Sequence, residues 1–124
     1  MEDKIYKILR EDEWTGALQS GTLVGAPVDI EDGFIHFSTK KQVQETANKH
    51  FAGEYNLYLL EVDVSDLPDE TLKWEKSRND DLFPHLYASL KIEMVSQVWS
   101  LQTTESGLHD FSFLENDSPT TLII

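Results

Sequence analysis

The sequence predicts an α+β fold, and three observations carry that prediction. The elements read in the order strand, helix, loop, strand, helix, strand and then mostly strands, which lacks the regular alternation of a parallel-sheet α/β protein. The 124 residues suffice for one domain with a real core but are too few for two lobes around a deep cleft, so function belongs to a surface groove. Residues 56–64 are apolar on both strand faces, through Leu57, Leu59, Tyr58, Leu60, Val62 and Val64, and so belong at the centre of a sheet.

The elements follow in chain order. Residues 4–10 alternate Ile5, Lys7, Leu9 against Tyr6, Ile8, Arg10, which predicts a first strand. Residues 12–20 carry Trp14, Ala17 and Leu18 at helical spacing, with Gly21 where a C-cap glycine belongs. Residues 22–31 contain Gly25 and Pro27 without periodicity and read as a loop. Phe34, Ile35 and Phe37 then predict a short strand around His36. Thr39 followed by Gln42 has the form of a capping box, opening a helix whose Val43, Ala47 and Phe51 form the core stripe and which Gly53 ends. His50 flanks that stripe and reads as structural or exposed.

Residues 65–69 read as a turn or a single helical turn and 71–74 as a short strand. Pro84 lacks a donor N–H and predicts an edge or irregular segment at residues 83–87. Residues 93–101 alternate as a strand, with Val95 and Trp99 opposite Val98, and Gly107 marks a hairpin turn into residues 109–113. Residues 1–114 thus make one domain, and residues 115–124 a flexible C-terminal tail.

Ten Lys and Arg stand against 23 Asp and Glu, a net charge of −13, which opposes binding to duplex nucleic acid and to anionic membranes. The absence of cysteine excludes disulfides, thiolate zinc sites and a cysteine nucleophile. No apolar run reaches membrane-span length and the acidic N-terminus does not resemble a signal peptide, so the expectation is a cytoplasmic monomer. Between Gly33 and Gly53, however, Lys40, Lys41 and Lys49 face only Glu45, a basic window in an acidic chain.

That window holds the main candidate site. The stretch Asp32 to Thr39 runs from a turn through a strand into a helix start, where unpaired N–H groups and the helix dipole favour an anion. His36, Ser38 and Thr39, with Lys40 in the first turn, suit a ribose hydroxyl and a phosphate. Trp74, Glu75 and Arg78 supply a stacking face, a carboxylate and a guanidinium fork for phosphate. His85 and Tyr87, two apart on an extended chain, share one face, as an acid–base pair requires. His36, His85 and Glu75 lack any metal-binding spacing, so no metal is predicted, and no Ser occupies a nucleophile elbow.

The segments IYKI, DGFIHFST, HFAG, LLEVD, KWE with SR, and FPHLY together resemble the small bacterial domain-of-unknown-function family 952, from about Lys4 to Trp99. After the Leu-Tyr, where members commonly carry Gly-Pro, this chain has Ala88-Ser89. The resemblance implies an ADP-ribosyltransferase-like fold: two small antiparallel sheets, flanked by two helices, around a groove sized for NAD. In such transferases the first strand carries a ribose-gripping His or Arg; here Tyr6 and Lys7 occupy that stretch.

Two function classes follow. In one, the groove takes NAD or another phosphate-bearing nucleotide as substrate and transfers or hydrolyses an ADP-ribosyl or phosphoryl group, with His36, His85 and Tyr87 as catalytic candidates. Ser38, Thr39, Lys40, Trp74, Glu75 and Arg78 bind the ligand. In the other, a non-catalytic module holds a small anionic ligand or a peptide in the same groove.

Overall fold

A computed structural model describes residues 3–77 and 80–115. Strand β1 (Lys4–Arg10) runs antiparallel to β4 (Leu57–Asp63), which in turn pairs with β8 (Val95–Ser100), giving the sheet order β1-β4-β8. The doubly apolar strand is thus the central one. Its two faces feed two cores. Leu60 and Val62 pack with Ile5, Leu9, Ile35, Phe37 and Leu86, whereas Leu57 and Leu59 pack with Tyr6, Ile8, Val43 and Ala47.

A second antiparallel sheet has the order β3 (Ile35–His36), β6 (Leu82–Leu86), β5 (Leu72–Lys76). Two short ribbons complete the β structure, β2 (Thr22–Leu23) with β7 (Leu90–Lys91) and β9 (Gln102–Thr103) with β10 (His109–Asp110). The sheets meet at one bridge, where Tyr6 and Ser38 exchange both backbone hydrogen bonds at 2.8 Å. The segment that begins as β3 in one sheet therefore touches the edge of β1 in the other.

Helix α1 (Glu11–Ser20) ends at Gly21, whose φ of 83° lets its N–H reach Ala17 O. Helix α3 (Lys40–His50) begins with the capping box expected of Thr39 and Gln42, at 3.2 and 3.0 Å. Val43 and Ala47 are buried as the stripe requires.

Several expectations need correction. Residues 22–31 are not simply a loop, because β2 lies there and Pro27 opens a short helix, α2 (Pro27–Asp32). Proline at a first helical position loses no hydrogen bond and presets φ. With α4 (Ser112–Glu115) the α-helices number four among the described residues rather than two, and residues 109–113 are a strand only at β10. Leu18 is 53% exposed, so the inward stripe of α1 is Trp14 and Ala17. Pro84 sits in the central strand of its sheet, not at an edge. Its carbonyl accepts from Phe37 N–H at 3.0 Å just where β3 ends, and its neighbours Phe83 and His85 face β5, so no ladder donor is missed. The proposed tail, apart from Glu115, lies outside the described residues.

Candidate functional site

The site is built on a carboxylate. In α2, Asp29 stands at the third position and its Oδ2 reaches back to the Ala26 N–H at 2.7 Å. Its Oδ1 accepts from the His36 N–H at 3.1 Å and lies 2.6 Å from His36 Nδ1, while Lys7 Nζ lies 3.0 Å from Oδ2. Four donors thus fill the acceptor sites of one fully buried carboxylate. Burial opposes its ionisation, but the hydrogen bond from His36, the charge and hydrogen bond of Lys7 and the Ala26 amide outweigh it, and the Asp29 pKa falls from 3.8 to about 2. Gly25 makes room for this arrangement: its φ is 112°, and a Cβ there would lie 2.5 Å from Asp29 Cβ.

Lys7 also donates to His36 O at 3.1 Å, which ties β1 to β3. His36 Nε2 approaches Asp32 Oδ2 at 3.1 Å, so each ring nitrogen of this half-buried histidine faces a carboxylate.

His36 and His85 are opposite residues of the β3–β6 ladder, with ring centroids 5.4 Å apart. Phe34 stacks on His85 at 4.2 Å and contacts the rings of His36 and Tyr87 at 4.6 and 5.1 Å. Glu75 Oε1 lies 2.8 Å from His85 Nδ1 and accepts from Tyr87 Oη at 2.7 Å. The hydrogen bond from His85, then that from Tyr87, holds the Glu75 carboxyl below its ordinary range; Glu75 in turn raises the Tyr87 hydroxyl.

Beyond the Tyr6–Ser38 bridge no strand among the described residues pairs with the outer edge of β1, and an open cleft of about 710 Å³ lies there between β1, α2, β3 and α3. That volume falls in the range of small-molecule sites, roughly 300–1,000 Å³. Because Tyr6 turns its backbone groups to Ser38, period-two alternation turns those of Ile8 to the same edge, in the cleft wall. Lys7, Arg10 and Lys49 line it against Asp29 and Glu13, so the wall is net cationic in a chain of charge −13. Arg10 is committed to a two-pronged bond with Glu54 at 2.8 and 2.9 Å, whereas Lys49 makes no ion pair among the described residues.

Of the predicted site residues, His36, Ser38 and His85 line this cleft. The Ser38 hydroxyl bonds Thr46 Oγ1 at 2.9 Å. Thr39 and Lys40 are absent from the wall: Thr39 is spent on its cap, and the cleft runs along the side of α3, past Val43, Thr46 and Lys49. Trp74 packs against the core instead of offering a face, and Glu75 and Tyr87 reach the cleft only through His85. Arg78 lies outside the described residues. Asp29 and Phe34 join the site only through the fold. The signal for Asp29 was Pro27 followed by Asp two residues on and Gly33 as a cap, a helix in miniature; for Phe34 no signal separated it from a core aromatic.

Chemically, the arrangement combines a buried ammonium, an imidazole braced by carboxylates and a second imidazole whose Nε2 has no partner among the described residues. It can hold an anionic group and move a proton beside it. Among the described residues no cluster of three or more His, Asp or Glu has the geometry of a metal site, and no helix is long and apolar enough to cross a membrane.

A family described as "Protein of unknown function (DUF952)" matches residues 8–98. Among solved structures, the crystal structure of protein CC0527 from Caulobacter crescentus is similar with a TM-score of 0.86 and 43% identity, covering 90% of this chain and 96% of that one. The solution NMR structure of CC0527 gives 0.81 and 42%, covering 91% and 97%. No curated protein matches the chain.

Proposed function

The chain belongs to the DUF952 family, and from its cleft we propose that it binds NAD or a related phosphate-bearing nucleotide and transfers or hydrolyses an ADP-ribosyl or phosphoryl group. One observation carries this reading, the cationic wall of a ligand-sized cleft in a strongly acidic chain. Such a wall concentrates small anions where the rest of the surface repels them. Two three-stranded antiparallel sheets touching at Tyr6 and Ser38, with the cleft at their junction, support an ADP-ribosyltransferase-like fold.

In this reading Lys7 and Lys49 face the phosphates, His36 meets the ribose, and His85 moves a proton. Tyr87, outside the cleft wall, is tied to it through Glu75 and His85. Arg78 keeps its assignment to phosphate from the sequence. The test is calorimetric titration with NAD, ADP-ribose and a 2′-phosphorylated nucleotide, followed by chromatography for turnover. Heat from at least one ligand, weakening as salt is raised, is expected. Silence from all of them at millimolar concentration would remove the reading.

A second reading, a binding module without chemistry, is favoured by the pairing of Lys7 with Asp29, since a neutralised ammonium stabilises a developing charge less than an unpaired one does. Binding without turnover on prolonged incubation selects it.

A further inference from the structure

We propose that Glu75 and Tyr87 are positioning residues that set the tautomer of His85, so that Nε2 enters the cleft as a proton acceptor for a hydroxyl group attacking the bound ligand. The attacking class is water or a sugar or alcohol hydroxyl, and the inference rests on reading the cleft as a nucleotide site.

The hydrogen-bond geometry decides the proton's place. An ionised carboxylate only accepts, and Glu75 Oε1 receives the Tyr87 hydroxyl at 2.7 Å and lies 2.8 Å from His85 Nδ1. In the neutral ring the proton therefore belongs on Nδ1, which leaves the lone pair on Nε2. His85 is 5% exposed and lines the cleft, and its Nε2 has no partner among the described residues. The lone pair thus serves whatever enters the cleft. Phe34, stacked 4.2 Å from the ring, holds its plane, and the β6 backbone fixes its base opposite His36. A carboxylate that orients one nitrogen so that the other can work is a recurring acid–base design.

The step balances without an added reactant. The acceptor O–H bond breaks and its proton bonds to Nε2. The acceptor oxygen forms a bond to the electrophilic carbon or phosphorus of the ligand, and the leaving group departs with the electron pair of the bond it loses. The imidazolium, its Nδ1–H still donated to Glu75, then returns the Nε2 proton to solvent or to the leaving group.

The test is long-range ¹H–¹⁵N NMR of the histidine rings in the full chain, without ligand, at mildly alkaline pH. The expected result for His85 is a protonated Nδ1 and a lone-pair Nε2. Glu75→Gln, whose amide can donate to Nδ1, is expected to move the proton to Nε2, and Tyr87→Phe to keep it on Nδ1. An Nε2–H ring in the wild type, or a ring unchanged by Glu75→Gln, overturns the proposal; the wild-type spectrum decides even where the variant does not fold. With a turned-over nucleotide, Glu75→Gln is expected to lower kcat by at least about a hundredfold at similar KM, and an unchanged kcat also overturns it. An Nδ1–H ring in a protein that binds no nucleotide overturns the nucleotide reading instead, while an Nε2–H ring with nucleotide bound overturns only the positioning.

Discussion

The Lys7 ammonium lies 3.0 Å from Asp29 Oδ2 at the junction of the two sheets, with both side chains less than a tenth exposed. Removing one partner strands a charge away from water, which costs far more than loss of a surface pair. Asp29→Ala and Lys7→Met are each expected to lower stability by roughly 3–5 kcal/mol. The double variant should lose less than the sum of the two, because neither charge is then left alone. Urea melts of the three proteins measure this; additive losses would mean that the pair is not coupled.

The same carboxylate makes stability depend on acid. Its folded pKa, about 2, lies below the ordinary 3.8, so ionisation favours the folded state. The contribution is complete above about pH 4, and is lost as pH falls from there towards 2. Its size, from the shift, is on the order of 2 kcal/mol. Melts from pH 5 to 2 should show a shallower acid slope for Asp29→Asn than for the wild type. Parallel slopes would contradict the assignment.

Much of this was legible in the sequence. The first strand, the Thr39–Gln42 cap, the Val43–Ala47 stripe and the central place of β4 follow from periodicity and capping, which act within a few residues. His36 and His85 were read as site residues, and the fold makes them neighbours on one ladder. What was not legible is contact across distance. Asp29 is one acid among many in the sequence, and only the fold brings it to Lys7, 22 positions earlier. Pro84 misled because the rule against proline in central strands assumes a partner on both sides, and β3 ends where that N–H would be needed.

Gly25 is the next test of the Asp29 environment. An added Cβ would meet Asp29 Cβ at 2.5 Å, and φ of 112° disfavours any side chain. Gly25→Ala should therefore destabilise by more than about 1 kcal/mol. It should also weaken nucleotide binding, because Asp29 holds Lys7 and His36. Full stability in a thermal melt would refute the close approach.

Thr39 separates the helix end from the cleft. Thr39→Ala removes an N-cap and should cost about 1 kcal/mol. Since Thr39 does not line the cleft, ligand affinity should hold. A parallel fall in affinity in calorimetry would restore the anion cradle at the start of α3.

The proposal that the cleft binds a nucleotide is tested most directly by amide-resolved NMR during titration with NAD and with ADP-ribose. Saturating shifts are expected at Lys7, Ile8, His36, Ser38, Lys49 and His85, which line the cleft. No movement at these amides with millimolar ligand, or shifts gathered on the β9–β10 ribbon instead, would contradict it.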